Sequence, residues 1–184
     1  EKYNPAYILW DTVTNFGNYE PKNYDGNIHG PVSIRQALAN SLNIPAVKIL
    51  YLTGIDKVLE QVHKMGITTL NEPDRYGLSL VLGGGEVKLL DLTTAYGVFA
   101  NQGTLHETTA ILKVEDKDGK VLYEYKENKN KKEVLDPQIA YEISDILADN
   151  NARQMVFGFT NQLQFDNHHV AVKTGTTQEN RDGW

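Results

Sequence analysis

Five consecutive residues near the carboxyl end of the sequence have the side chains needed to bind an anion. The short apolar run Val-Ala-Val is followed by Lys173-Thr174-Gly175-Thr176-Thr177. The β-branched residues predict a strand, on which Thr174 and Thr176 share one face beside the charge of Lys173. Gly175 lets a ligand approach the backbone, and an N–H group near it could form half of an oxyanion hole. These residues favour a site for a carboxylate and a carbonyl group, although a solvated turn is the plain alternative.

A second polar triplet, Ser41-Leu42-Asn43, lies far upstream in the chain. One helix is predicted to end near Asn40, and another is predicted to begin at Pro45. The triplet therefore occupies a short connection between two helix ends, where polar side chains can project into a cleft. Simple helix capping is the alternative role for Ser41 and Asn43.

With both motifs in this order, the chain resembles the acyl-serine transpeptidases, which are the penicillin-binding proteins and their β-lactamase relatives. That family carries three motifs, Ser-x-x-Lys, Ser-x-Asn and Lys-Thr-Gly, of which the second and third are present. The resemblance is strongest to the bifunctional, class A penicillin-binding proteins and covers essentially the whole chain. It extends through residues 23–26 (Asn-Tyr-Asp-Gly), 29–32 (His-Gly-Pro-Val), 82–87 (Leu-Gly-Gly-Gly-Glu-Val), 91–96 (Asp-Leu-Thr-Thr-Ala-Tyr) and 180–182 (Asn-Arg-Asp).

The first motif is absent. Ser33, Ser41, Ser79 and Ser144 are followed three residues later by Gln, Ile, Leu and Leu, so no Ser-x-x-Lys occurs in the 184 residues. We therefore expect residues 1–184 to be a partial transpeptidase domain, an internal piece that lacks the N-terminal Ser-x-x-Lys part and the C-terminal sheet strands. By itself such a piece is predicted to be inactive.

The resemblance implies an α+β fold in which helices pack on an antiparallel sheet, here incomplete. The edge strand of that sheet carries Lys-Thr-Gly and faces the Ser-x-Asn loop across a cleft. If the neighbouring strands are missing, residues 169–174 expose an unpaired edge, through which the piece is expected to self-associate.

The activity implied is that of a peptidoglycan D,D-transpeptidase, which cross-links stem peptides through an acyl-serine intermediate and binds β-lactams such as penicillin. On this resemblance Ser41 relays a proton to the leaving nitrogen, and Asn43 hydrogen-bonds the peptide backbone of the D-alanyl-D-alanine substrate. Lys173 stabilises the substrate carboxylate and the proton network.

The residues after Lys173 complete the implied substrate site. Thr174 and Thr176 hydrogen-bond the carboxylate, and the Thr176 N–H group completes the oxyanion hole. Gly175 and Thr177 belong to the same substrate-binding stretch. The site requires no cofactor.

Two other functions stay open. A hydrolase of the same superfamily, a carboxypeptidase or β-lactamase, is disfavoured because Leu42 replaces the Asp typical of class A β-lactamases and because no Glu-x-x-Leu-Asn element is present. A noncatalytic module that senses cell-wall peptide or β-lactam is the other alternative.

Composition excludes some classes of protein. A formal net charge of -6, with no basic patch beyond 126–132, argues against nucleic-acid binding. The adjacent His168 and His169 point to opposite faces of a strand, so no metal site is expected. No stretch reaches the roughly 20 apolar residues of a membrane span, so any membrane association must come from missing parts of the parent protein. The resemblance implies an extracytoplasmic location.

Local patterns predict the elements that position these motifs. Residues 1–31 and 67–86 are predicted to be irregular, and the charged run 126–132 is predicted to be a solvated loop. Helices are predicted over 33–40, 45–52, 56–65, 88–100 and 136–148. The fourth of these is apolar nearly all round and is predicted to be buried. A hairpin is predicted at 109–114 and 121–125, and a strand at 168–174.

Overall fold

A computed structural model describes residues 3–126 and 131–176. In this part of the chain, six α-helices accompany six short strands, which confirms the α+β prediction. The helices are α1 (Ile34–Ala39), α2 (Asn43–Thr53), α3 (Ile55–Lys64), α4 (Leu89–Ala100), α5 (Pro137–Ala148) and α6 (Gln154–Phe157). The strands are β1 (Ile8–Asp11), β2 (Gly30–Ser33), β3 (Thr104–His106), β4 (Lys113–Glu115), β5 (Val121–Glu124) and β6 (Lys131–Glu133).

The predicted helices form because their boundary residues are strong local signals. Ser33 and Gln36 make a reciprocal capping box at the start of α1. Gly54, with a φ of 88°, ends α2 and begins α3. Asp136 caps α5 by accepting a hydrogen bond from the N–H of Gln138, and Pro137 occupies the first turn.

The first thirty residues are more regular than predicted. Strands β1 and β2 pair antiparallel, with Leu9 opposite Val32. Leu9 and Asp11 face inward and are buried, while Trp10 faces solvent. The inward position of a charged residue removes the apolar alternation by which a half-buried strand is recognised, which explains the wrong prediction.

The larger core lies between α3, α4 and the segment after α3. Its buried residues are Leu59, Met65, Ile67, Leu70, Ala95 and Val98. Helix α4 was predicted to be buried all round, but Leu89, Leu90 and Tyr96 are exposed. Within the described residues only one face of α4 is covered, chiefly by β3 and α5.

Within the described residues there are three sheets, each antiparallel and two-stranded, with pairings β1 to β2, β3 to β6 and β4 to β5. The predicted hairpin forms as β4 and β5. Of the charged run predicted to be a loop, residues 127–130 lie outside the described residues. Its last two residues begin β6, in which Lys132 lies opposite Leu105, and all three β6 side chains are exposed.

The segment that leads into Lys173 differs from the predicted strand. Residues 169–175 form no ladder with another described strand, and Phe165 and His168 make an isolated bridge. The backbone N–H of Val172 instead donates to the carbonyl of Leu147, at the end of α5, at 2.9 Å. Pairing of this segment with a second chain stays a prediction. Among the described helices, none has the length and apolar character to cross a membrane.

Candidate active site

Ser41 occupies the turn that ends α1. The Ser41 N–H donates to the carbonyl of Leu38 at 3.1 Å, and the Leu42 N–H donates to the carbonyl of Ala37 at 3.0 Å. These two bonds define a Schellman motif, in which Ser41 takes the left-handed position with a φ of 56°. Leu42 and Ala37 pack together in a small buried cluster with Val32, which is the apolar contact that accompanies this motif.

A left-handed serine is unusual because glycine is preferred at this position of the motif. The side chain of Ser41 is therefore held in a strained backbone conformation that aims it away from the helix. Strain of this kind persists only where the surrounding structure enforces it, and it is common at functional sites.

Lys173 reaches this turn from the far end of the chain. Its ammonium donates hydrogen bonds to the Ser41 hydroxyl and to the carbonyl of Thr174, both at 2.7 Å. Lys173 is half-buried, and burial lowers the pKa of its amine. In the described part of the chain no carboxylate lies within ion-pair distance of Lys173. The two predicted motifs therefore meet through this one charged contact.

The other predicted residues occupy less direct positions. Asn43 is the first residue of α2, and its side-chain amide donates to the carbonyl of Lys22 at 2.8 Å. Thr174 is half-buried, and Gly175 and Thr176 are exposed. Thr177 lies outside the described residues.

Asn40, which precedes Ser41, is a structural residue that the sequence patterns did not single out. It is 2% exposed, and its amide donates to the carbonyls of Gln36 at 2.9 Å and Ala152 at 2.6 Å. Its side-chain oxygen accepts from the Val156 N–H at 2.9 Å. These bonds join the turn at Ser41 to the segment after α5. The segment that carries Lys173 is bonded to the end of the same helix.

In the part of the chain that the structure describes, no group of three or more His, Cys, Asp or Glu side chains is arranged to hold a metal ion. The contact itself brings together the hydroxyl of Ser41 and the Lys173 amine, whose pKa is lowered by burial.

The family comparison agrees with the motifs. The model of the penicillin-binding protein transpeptidase domain matches residues 2–183. Penicillin-binding protein 1A of Clostridium acetobutylicum is 36% identical over 188 aligned residues, which cover 98% of this chain and 22% of the relative. Penicillin-binding protein 1A of Neisseria meningitidis is 32% identical over 169 residues, covering 90% of this chain and 21% of the relative. The chain thus spans about a fifth of the length of these curated relatives.

Solved structures show the same fold. The penicillin-binding protein PonA1 of Mycobacterium tuberculosis superimposes with a TM-score of 0.80 at 21% identity, over 96% of this chain and 48% of that one. The D,D-transpeptidase domain of a peptidoglycan glycosyltransferase from Eggerthella lenta gives a TM-score of 0.78 at 16% identity, over 97% of this chain and 50% of that one. These structural likenesses concern the fold alone, and the family model, with the 1A-type relatives, shows that the chain belongs to the penicillin-binding protein transpeptidase domain family, in its class A type.

Proposed function

We propose that this segment supplies two walls of the acyl-transfer site of a peptidoglycan D,D-transpeptidase, which also binds β-lactams. The observation that carries the proposal is the 2.7 Å hydrogen bond from Lys173 to Ser41. It joins the Ser-x-Asn turn to the Lys-Thr-Gly segment in the order and pairing that the family's motifs require.

The reaction proceeds by covalent catalysis. The hydroxyl oxygen of a nucleophilic serine attacks the penultimate D-alanine carbonyl carbon of a stem peptide, forming an ester. The carbon–nitrogen bond breaks, and the terminal D-alanine leaves with a proton on its nitrogen. An amine of a neighbouring strand then attacks the ester carbon and forms a new amide as the carbon–oxygen bond to the serine breaks, and a proton from that amine passes to the serine oxygen.

Ser41 and Lys173 serve the proton transfers in this scheme. The leaving nitrogen needs a proton, which the Ser41 hydroxyl can deliver and recover from Lys173. Because burial lowers the pKa of Lys173, a larger fraction of its amine is neutral than in a solvated lysine at the same pH. The lowered pKa brings Lys173 closer to the range in which one side chain can both accept and donate a proton.

Asn43 and the residues after Lys173 hold the substrate. The amide nitrogen of Asn43 is bound to the Lys22 carbonyl, so its side-chain oxygen is the group we assign to the substrate's backbone N–H. Thr174 and Thr176 bind the carboxylate, with the Thr176 N–H in the oxyanion hole. Gly175, between them, and Thr177, after them, belong to the same substrate-binding stretch.

The nucleophile is assigned to a Ser-x-x-Lys motif outside these 184 residues, since the sequence holds none. A polypeptide of residues 1–184 alone is therefore proposed to be inactive. The site works outside the cytoplasm, where its substrate is, and any membrane attachment is assigned to other parts of the protein.

Covalent labelling with fluorescent penicillin tests the proposal. The full-length protein should become labelled, and Lys173→Ala should slow labelling by about 100-fold or more. Lys57→Ala is the matched control, because Lys57 is an exposed lysine on α3, and it should label at the wild-type rate. Intact mass should show no adduct on the polypeptide of residues 1–184. Reversible binding of penicillin by the full-length protein with no adduct would favour the noncatalytic sensing module instead.

A further inference from the structure

Helix α2, which starts directly after the Ser41 turn, has no N-terminal cap of its own. Its N-cap residue is Leu42, which has no side chain able to accept a hydrogen bond, and its first turn holds no acidic residue. The first N–H groups of a helix need acceptors from elsewhere. The side-chain oxygen of Asn23 supplies one, accepting from the N–H of Asn43 at 2.9 Å and of Ile44 at 3.2 Å. A residue remote in sequence therefore caps α2.

The orientation of the Asn23 amide is set by Asp11. The amide nitrogen of Asn23 donates to both carboxylate oxygens of Asp11, at 3.0 and 2.8 Å, and to the carbonyl of Asn27 at 2.9 Å. Asp11 is fully buried and Asn23 is 6% exposed. The oxygen and nitrogen ends of an amide have nearly the same shape, but a carboxylate can accept only from the nitrogen end. Asp11 thus turns the oxygen end of Asn23 toward α2.

The buried charge of Asp11 is itself satisfied. The His29 N–H donates to it at 2.9 Å, and the Nδ1 atom of His29 lies 2.7 Å from the same oxygen. The neighbouring Lys22 carbonyl accepts the side-chain amide of Asn43. The buried network therefore holds the backbone of Asn43, and an exposed bond at the residue before Asn23 holds its side chain.

We infer that Asp11 and Asn23 are positioning residues for the acyl-transfer site. In the described part of the chain, no hydrogen bond or ion pair joins either side chain to Ser41 or Lys173. They act through the first turn of α2, which they hold in place beside the strained turn at Ser41. This inference rests on the proposed function for its kinetic consequence, although its structural part does not depend on catalysis.

Exchanging the two side chains gives a sharp test in the full-length protein. Asn23→Asp places two carboxylates together, and Asp11→Asn replaces one of the two carboxylate oxygens that orient Asn23 with an amide nitrogen, which is a donor. Each should lower the acylation rate at saturating penicillin by about 10- to 100-fold, the size expected when reacting groups are misplaced by about 1 Å. The double exchange, Asp11→Asn with Asn23→Asp, restores one donor and one acceptor between the two positions but leaves the Asn27 carbonyl without its donor, so it should recover part of that loss.

Hydrogen exchange supplies a second measurement that needs no activity. The amides of Asn43 and Ile44 should exchange faster in each single variant and return toward the wild-type rate in the double exchange. Asn18→Asp is the matched control, since Asn18 is an exposed asparagine of the same segment, and it should change neither measurement. Circular dichroism of each variant establishes that the protein is folded.

The outcomes separate the two claims. The inference would be overturned if the amides of Asn43 and Ile44 kept their wild-type hydrogen-exchange rates in Asn23→Asp. It would also be overturned if the fold-losses in acylation rate of the two single variants simply multiplied in the double variant. A different pattern would separate the capping network from the proposed function. If the single variants exchange faster and the double exchange reverses this, the capping network is supported. If penicillin also fails to acylate the wild-type protein, the proposed function is contradicted.

Discussion

The ammonium of Lys173 donates a 2.7 Å hydrogen bond to the hydroxyl of Ser41, across a separation of 132 residues in the chain. Two structural features bring these residues together. The turn at Ser41 is tied to the segment after α5 through Asn40, and the Lys173 segment is tied to the end of the same helix by the Val172 N–H. The contact therefore depends on the packing of α1 against α5.

Arg35 reinforces that packing from the surface side. Its guanidinium forms ion pairs with Asp145 at 2.6 Å and Asp149 at 3.1 Å, which joins α1 to the last turn of α5 and the residue after it. These pairs are partly exposed to solvent, so we expect their contribution to be modest beside that of the buried Asn40 amide.

Replacement of Asn40 should be costly. Asn40→Ala leaves the part-buried carbonyl of Ala152 and the N–H of Val156 without their partner, and it should lower the free energy of unfolding by about 2 kcal/mol. Thermal or denaturant unfolding measures this.

Asn101→Ala is the matched control for Asn40→Ala. Asn101 ends α4 and makes the same local bond, to the carbonyl four residues earlier, but it is exposed. It should cost only about 0.5 kcal/mol. Equal losses in the two variants would contradict the assignment of Asn40 as the link between the two motif segments.

Because the backbone of Ser41 is left-handed, two substitutions at this position should differ in stability but not in activity. Ser41→Gly removes the Cβ atom that disfavours this conformation and should be about 1 kcal/mol more stable than Ser41→Ala. Both variants lack the hydroxyl, so both should be acylated slowly. A lower melting temperature for Ser41→Gly than for Ser41→Ala would contradict the strained geometry.

The pKa of Lys173 should lie below that of an exposed lysine. Burial disfavours its charged form, so its amine should become reactive at lower pH than the amine of a short, fully solvated lysine peptide added to the sample. Competitive labelling with trace acetic anhydride, followed by peptide mass spectrometry, measures both midpoints in one sample. Identical midpoints would show that Lys173 is not desolvated.

The same pKa shift has a definite sign for stability. Below the lowered pKa, Lys173 is charged in both the folded and unfolded states, and the cost of burying the charge is present in full. Between that pKa and the unfolded value of about 10.4, the unfolded chain binds more protons, so the free energy of unfolding rises with pH. In Lys173→Met the free energy of unfolding should rise less with pH over this range, because the titrating amine is gone. Denaturant unfolding at a series of pH values measures the difference.

Local signals were enough to predict the helices next to the site. Ser33 with Gln36 and the glycine at position 54 mark boundaries through bonds within a few residues, and the structure agrees to within about two residues. Pairing between distant segments was not predictable in this way. Strand β1 was missed because Asp11 faces inward, and the cap that Asn23 provides for α2 depends on a fold that brings them together.

The meeting of Ser41 and Lys173 was implied by the resemblance to the transpeptidase family, and the structure adds how it is achieved. The Lys173 segment is not a strand in a described ladder but an extended stretch bonded to the end of α5 at Leu147. The position of Ser41 in a Schellman turn was also beyond the motif, because the pattern Ser-x-Asn contains no signal for a left-handed serine.

A double-mutant cycle of acylation tests the central claim most directly. The acylation rate of the full-length protein by fluorescent penicillin would be measured for wild type, Ser41→Ala, Lys173→Ala and the double variant. If the two side chains act as one proton-transferring pair, each single change should slow acylation by about 100-fold or more, and the double variant should be little slower than the slower single variant. Losses that multiply in the double variant, or single variants that acylate at the wild-type rate, would contradict the account.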